Sequence, residues 1–490
     1  MSAAMAHLVF IPAAGVSHLA PAVEVARLLL ELDDRLSVTF LVVNPPSPHA
    51  SSKANPFADL LTSFSSSGAT SPSRLRFREL PWIDVPLSGP GFNLAEFHKP
   101  QVRSAVAELT RAAGAPTLAG FVVDMFCTQL IDVADEFGVP SYVLYTSSAS
   151  FLGFSFHLQA LQDDEGRDLS DLTADGDAEL EIPYLVNSLP AKVFPTSIID
   201  RGHRAPFLGH VKNFRRAKGI LVNSFEELES HAMGALREDD TIPPVYPIGP
   251  ILNLQKGGMR SSKSSEILSW LDDQPRSSVV FLCFGSNGSF HEDQVKEMAR
   301  GIEKSGHRFL WSLRRPQPML RIGSYPEEYD NPAEVLPEGF LERTAERGKV
   351  IGWAPQVEVL AHAAVGGFVT HCGWNSTLEG LWFGVPTAAW PLYAEQQFNA
   401  FGMVVEHGLA VEVKMDYRKS FGPGAAGTEM VVGAEVVERA VRELMDISHG
   451  GGHRKRVEKV REMSRKAVEE GGSSNSALGR FVGDVFGNIP

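Results

Sequence analysis

Short runs of Val, Leu, Ile and Phe recur along the chain, each followed by a longer stretch with apolar residues at helical spacing. Runs that are apolar on both faces suit strands covered by helices on either side, and the longer stretches suit amphipathic helices. In the first half the pattern predicts strands at 8–11, 38–43, 118–123 and 141–145, and helices at 20–32, 94–112, 128–137 and 151–162. A second series predicts strands at 279–284, 308–313, 349–352 and 367–370, with helices at 292–305, 377–383, 396–407 and 434–445. A charged helix is expected at 453–469; Gly471 and Gly472 break it, and Ser473 or Ser474 can cap a last short helix. Such alternation predicts an α/β protein with parallel sheets.

Between the two series lie a proline-rich stretch at 243–250 and a Gly/Ser/Lys-rich one at 256–265. The expected division is a first domain at 1–245, a linker at 246–266 and a second domain at 267–470, with a C-terminal helix in 471–490 packing back on the first domain. Further loops are expected at 50–73 and 418–427. A chain of 490 residues is too long for one ordinary core and suits two or three at roughly 150 residues each.

Hydrophobic content of 43% with 21% charged residues is that of a globular protein. A net charge of −14 argues against a broad nucleic-acid face. It leaves a nucleotide ligand open, because backbone N–H groups and helix ends can hold phosphates. The three cysteines, Cys127, Cys283 and Cys372, lie in or beside apolar runs, which predicts buried thiols in a reducing compartment. The first apolar run has no basic segment before it, so it reads as a strand rather than a signal peptide. No run is long enough to span a bilayer, and the expected location is cytoplasmic. Gly422 to Gly427 match G-x-G-x-x-G, but in a polar, proline-containing loop that opens no helix, so the dinucleotide fingerprint fails in context.

The densest chemistry lies between Trp353 and Gln396. A buried strand ends at His371, Gly373 permits a tight turn, and a helix begins near Asn375 and Ser376, either of which can cap it. The free N–H groups and dipole of that helix form an anion site at the carboxyl edge of the sheet. His371 can donate to a phosphate oxygen, and Glu379, one turn in, can accept from a hydroxyl. Taken alone this is an ordinary capped strand–turn–helix. The neighbours change that: Trp353, Ala354 and Gln356 offer a flat ring and an amide before the strand, and Glu395 and Gln396 a carboxylate and an amide after the next one. Both groups fall at carboxyl strand edges, where α/β proteins bind ligands.

In the first half, His18 follows the turn after the first strand, and Asp124 ends the strand at 118–123. A histidine near a helix start is more often structural, and an aspartate at a strand tip can simply cap the next helix. If the two strands are neighbours, however, Asp124 reaches a ring nitrogen of His18, and the pair can take a proton from a hydroxyl near neutral pH.

The stretch WAPQVEVLAHAAVGGFVTHCGWNSTLEGLWFGVPTAAWPLYAEQ resembles the signature box of plant secondary-product glycosyltransferases, the family 1 UDP-dependent glycosyltransferases, over its whole length. Supporting matches are Phe284-Gly285-Ser286, Leu336-Pro337-Glu338-Gly339-Phe340, Val222-Asn223-Ser224-Phe225-Glu226-Glu227-Leu228 and Tyr246-Pro247-Ile248-Gly249-Pro250. The resemblance implies two Rossmann-like, doubly wound domains facing a central cleft, the GT-B type. It implies a hexosyltransferase that moves glucose from UDP-glucose to a small lipophilic acceptor with inversion, giving a β-O-glucoside. Trp353 would stack on uracil, with Ala354 and Gln356 at the base edge. His371, Asn375, Ser376 and Ser286 would hold the diphosphate, and Glu379 the ribose. Trp374, Glu395 and Gln396 would contact the sugar, Gln396 favouring glucose. His18 would be the base and Asp124 its partner, although the family turn is richer in glycine than this one, which has Ser17 before His18.

The acceptor side is read from apolar residues near strand tips: Phe126, Phe151, Phe154 and Phe194, then Trp82, Phe92 and Leu94, with Thr146 and Ser147 after a strand. Lys414-Met415-Asp416-Tyr417-Arg418 resembles the subgroup that acts on flavonoids and simple phenolics. No metal, no bound cofactor beyond the UDP-sugar, no nucleic acid and no membrane span are expected, and the chain is expected to be a monomer. A catalytically silent nucleotide-sugar binder and a dinucleotide-dependent oxidoreductase are the alternatives. The pairing of His18 with Asp124 weighs against the first, and the absence of a fingerprint after a strand against the second.

Overall fold

Every residue of β1 (Ala6–Ile11) and β2 (Leu36–Val42) is buried, as a run apolar on both faces must be when helices cover both sides of its sheet. The computed structural model describes residues 5–43, 74–81, 83, 94–111, 114, 116–172, 176, 178–254, 262–317, 325–419, 430–446 and 452–489. The expected loop at 50–73 and most of the one at 418–427 lie outside the described residues. β3 (Leu75–Glu79), β4 (Thr117–Asp124) and β5 (Ser141–Tyr145) follow. A short antiparallel pair, β6 (Glu179–Leu180) and β7 (Leu189–Pro190), stands apart. With β8 (Gly219–Val222) and β9 (Val245–Pro247) the first sheet has seven strands in the order β3-β2-β1-β4-β5-β8-β9. All its pairings are parallel.

The second sheet repeats the plan. β10 (Val279–Cys283), β11 (Arg308–Ser312), β12 (Gly348–Ile351), β13 (Val365–Thr370), β14 (Thr387–Ala389) and β15 (Ala410–Glu412) form six parallel strands in the order β12-β11-β10-β13-β14-β15. In each sheet the chain winds outward from its first strand and then crosses to the other side, so strand order reverses between β1 and β4 and between β10 and β13. At such a reversal the loops leaving two adjacent strands diverge and open a crevice at the carboxyl edge.

Several boundaries differ from the sequence pattern. The first helix runs Val16–Leu32 rather than from 20, which puts His18 inside its first turn. β3 is only half buried, and β8, β9, β14 and β15 are too short to stand out from an apolar background. β9 carries the first sheet as far as Pro247, and a helix, Ser262–Asp272, starts within the stretch expected as linker. The helix Gln396–Phe401 does not continue as an α-helix to 407; its last turn widens, and His407 N–H bonds the Gly402 carbonyl at 2.9 Å.

The last helix, Ser473–Phe486, lies on the first sheet. It adds Ala477, Leu478, Phe481, Val482 and Val485 to the apolar layer of Leu8, Phe10, Val38 and Phe40. Neither expected serine caps it. Gly472 is the N-cap; the Ser473 hydroxyl donates to Glu227 at 2.9 Å and that of Ser474 to the Gly249 carbonyl, so both tether the helix instead. Phe481 is fully buried, edge-on to Tyr142 at 4.8 Å and to Tyr246 at 5.7 Å. Phe481→Ala should therefore destabilise the first-sheet half by about 3–5 kcal/mol, measured as a fall in its urea midpoint.

Candidate active site

β1 delivers the chain to Pro12 through Gly15 and into the helix Val16–Leu32, which sets His18 at the carboxyl edge of the first sheet. β4 ends beside it at Asp124, with Ile11 and Val123 in register. His18 Nδ1 lies 2.9 Å from Asp124 Oδ2. The other carboxylate oxygen accepts the Phe126 N–H at 2.9 Å. Asp124 does not cap the helix that follows, whose N-cap is Cys127; one of its oxygens holds the turn after β4 and the other the imidazole. The Thr146 hydroxyl is 3.4 Å from the same ring nitrogen, and Phe126 lies edge-on to the ring at 5.5 Å.

The Asp124 carboxylate is fully buried, whereas the His18 side chain is 21% exposed, so an incoming molecule reaches the imidazole alone. Nδ1–H donated to the carboxylate leaves the lone pair on Nε2. Burial works against a charged ring, but the charge and hydrogen bond of Asp124, with the charge of Glu395, outweigh it and hold the His18 pKa above its ordinary 6.5.

The second reversal is built around His371. β10 leads to Gly285 and β13 to His371, and the ring packs between two glycines: a Cβ on Gly285 or on Gly373 would stand 2.5 Å from His371 Nε2. Gly285 also has a φ of 71°, which side-chain-bearing residues rarely adopt. Burial, then the charge of Arg314, lowers the His371 pKa to about 4, so the ring is neutral. Its Nδ1 has no partner among the described residues. The helix Trp374–Phe383 begins after Gly373, and no side chain caps it. Ser376 Oγ accepts from Gln356 Nε2 at 2.8 Å, and Asn375 Nδ2 donates to the Ser17 carbonyl, next to His18, at 3.3 Å. The expected cap from Asn375 or Ser376 is absent, which suits a helix end reserved for an anion.

Gln356 also donates to Glu379 at 2.7 Å; burial pushes the Glu379 pKa up to about 7 against that bond. Ala354 is buried and Ser286 half-buried in the turn after Gly285. Trp353 is 55% exposed, a large indole left open as a platform beside Tyr325.

Other expected residues are placed differently. The Trp374 indole is buried, its Nε1 donating to the Asn223 carbonyl of the other sheet's half at 2.6 Å. Only its main-chain N–H remains for a ligand. Gln396 is buried, and its Oε1 accepts from the N–H groups of Leu392 at 2.9 Å and Tyr393 at 3.0 Å, while its side chain also bonds the Tyr393 hydroxyl. Burial raises the Glu395 pKa, with the His18 charge opposing, so this carboxylate lies within electrostatic reach of the imidazole.

On the acceptor side, Phe126 and Thr146 stand at His18. Phe151, Phe154 and Phe194 are buried in the apolar core of the first half, 2%, 0% and 0% exposed. Phe398, from beyond β14, packs on Phe154 at 5.0 Å and on Phe151 at 5.4 Å, covering the face a pocket would need. Ser147 is also buried, and Leu94 packs partly buried on the same core. Trp82 and Phe92 lie outside the described residues. Arg314, at the tip of β11, went unremarked in the sequence although its strand-edge position is the same signal that marks His371.

Among the described residues, no three His, Cys, Asp or Glu side chains converge to hold a metal ion, and no helix is long and apolar enough to cross a membrane. All three cysteines are buried and unpaired.

A protein-family model described as UDP-glucoronosyl and UDP-glucosyl transferase matches residues 231–447. The chain is 50% identical to UDP-glycosyltransferase 71A15 of Malus domestica, covering 98% of this chain and 99% of that one. It is 49% identical to UDP-glucose flavonoid 3-O-glucosyltransferase 6 of Fragaria ananassa, with 98% of each covered. The crystal structure of Medicago truncatula UGT71G1 complexed with UDP-glucose superposes with a TM-score of 0.84 at 37% identity, covering 98% of both chains. With its paired parallel sheets and this similarity along nearly its whole length, the chain belongs to the plant family 1 UDP-dependent glycosyltransferases and has their two-domain GT-B fold.

Proposed function

We propose that this protein transfers glucose from UDP-glucose to a hydroxyl of a small lipophilic acceptor, a flavonoid or similar plant phenolic, with inversion at the anomeric carbon. One observation carries the reading. The His18–Asp124 pair lies across the cleft from an uncapped helix end, and the two are tied by the Asn375–Ser17 bond at 3.3 Å. The relatives support the substrates: one is named for UDP-glucose and flavonoids, and one was crystallised with UDP-glucose.

In this scheme the acceptor hydroxyl gives its proton to His18 Nε2 as its oxygen attacks C1 of the glucose. The bond from C1 to the diphosphate oxygen breaks on the opposite face, and UDP departs. Asp124 fixes the ring tautomer and stabilises the imidazolium. The charge left on UDP meets the N–H groups of the helix Trp374–Phe383, with the neutral His371, Ser286, Asn375 and Ser376 beside it. Trp353 takes the base, with Ala354 and Gln356 at its edge, and Glu379 takes the ribose. The Trp374 N–H, Glu395 and the Gln396 amide take sugar hydroxyls. Residues 1–245 with the helix at 471–490 then serve the acceptor, 267–470 the donor, and 246–266 connect them. No step calls for a metal. Three buried, unpaired thiols suit work in the cytoplasm, and a base and a donor cradle carried by one chain suit a monomer.

Incubating the protein with UDP-glucose and a panel of phenolics, with products identified by mass spectrometry and NMR, should yield β-glucosides. No transfer to any hydroxyl would sink the reading. His18→Ala should lower kcat by about 10²–10⁴-fold, equivalent to roughly 3–5 kcal/mol of barrier, with little change in UDP affinity. Because the His18 pKa is raised, the acid limb of kcat/KM should have its midpoint above 6.5, activity falling as pH drops through it. In Asp124→Asn the raising partner is gone while burial persists, so that limb should move to lower pH and the plateau should fall.

A further inference from the structure

Arg314 is buried, 4% exposed, directly beyond β11. Its Nη2 donates to the Gly285 carbonyl and, at 3.4 Å, to that of Gly288, the loop that carries Ser286. Its guanidinium carbon stands 5.3 Å from the centre of the Trp353 ring. It also lies close enough to His371 for its charge to depress that imidazole. One side chain therefore touches the base platform and the loop after β10, and sits within electrostatic reach of the His371 ring.

No carboxylate forms an ion pair with Arg314 among the described residues. Glu328, whose charge it feels, is taken by Lys263 at 2.8 Å and by the Trp353 N–H at 2.9 Å. The Arg314 Nη1 is buried with no hydrogen-bond partner. Other polar atoms of the same cradle are equally unpartnered: His371 Nδ1, Asn375 Oδ1 and Asn287 Oδ1. A buried guanidinium without an anion is strongly disfavoured, and an unmade charged hydrogen bond adds to that. Two main-chain carbonyls offset part of the desolvation but supply no countercharge.

We infer that Arg314 is a cation for the donor's diphosphate: Nη1 donates to a phosphate oxygen, while the guanidinium covers one face of Trp353 and leaves the other for the base. This rests on the nucleotide-sugar reading above and adds to it a residue outside the signature box. A planar guanidinium suits the task because its fork serves the loop carbonyls and the phosphate together, which a lysine cannot do. Binding an anion there supplies the missing countercharge and makes Arg314, rather than His371, the charged group of the donor cradle.

The test is calorimetric binding of UDP and of uridine to the wild type, Arg314→Gln and Arg314→Lys, with circular dichroism and thermal midpoints as a check on folding. Arg314→Gln should weaken UDP binding by about 10- to 100-fold. Uridine, which has no phosphate, should change by less than about threefold. Arg314→Lys, which keeps the charge without the fork, should fall between and still lose more for UDP than for uridine, so it decides the matter if the glutamine variant does not fold. Equal losses for UDP and uridine would reduce Arg314 to a prop for Trp353 and the loop, and unchanged UDP binding would remove it from the cradle; either overturns the inference. Failure of the wild type to bind UDP would instead overturn the nucleotide-sugar reading and this inference with it, and that result is read on the unaltered chain.

Discussion

The Trp374 indole N–H meets the Asn223 carbonyl at 2.6 Å in a buried setting, where a bond left unmade would be costly. Asn223 directly follows β8 of the first sheet, and Trp374 opens the uncapped helix of the second. The bond thus sets where that helix end points relative to His18. Others repeat the arrangement: the Thr196 N–H to the Ala394 carbonyl at 2.9 Å, and Arg418 to the carbonyls of Lys192 and Phe194 at 2.7 Å each. Glu406 accepts the N–H groups of Val186 and Asn187 at 2.8 Å. Each uses main chain on at least one side, and Phe398 fills the apolar space between them. The facing of the two carboxyl edges is therefore a property of the packed chain itself.

Within that frame, two histidines of the same intrinsic chemistry are driven apart. Each sits at a strand-order reversal, and each loses water. At His18 the carboxylate on the ring outweighs burial and the pKa rises; at His371 burial, with a guanidinium adding to it, lowers the pKa to about 4. The first can accept a proton near neutrality, and the second remains a neutral hydrogen-bonding group beside an anion. Divergent environments of this kind assign acid–base roles more securely than residue type does.

The sequence made the two parallel sheets legible because their long strands are apolar on both faces. It also made His18, Asp124, His371 and the Asn375 turn legible because each lies at or just beyond the carboxyl end of such a strand. Short strands such as β14 and β15 carried too few residues to register. Phe151 and Phe194 could not be told from pocket walls, since a buried phenylalanine and a pocket phenylalanine read alike until Phe398 is seen lying on them. Trp374 and Gln396 were read for their polar groups, but folding uses the indole N–H and one amide oxygen for internal bonds. The Trp374 bond is to a residue 151 positions away, which no local pattern reveals, and the Gln396 bonds depend on the turn conformation at Leu392 and Tyr393. Arg314 carried the strand-edge signal, but it lies outside the signature box and beside a second arginine, Arg315, so nothing in the pattern singled it out.

Asp124 divides its two oxygens between architecture and chemistry, one on the Phe126 amide and one on the imidazole. The carboxylate cannot rotate to follow His18 without releasing the turn after β4, so the base inherits the stiffness of the backbone. Glutamate, one methylene longer, would have to trade one attachment for the other. Tolerance at this position is thus set by shape as well as charge, and drift in sequence here would be felt first as a misaimed ring rather than as an unfolded protein.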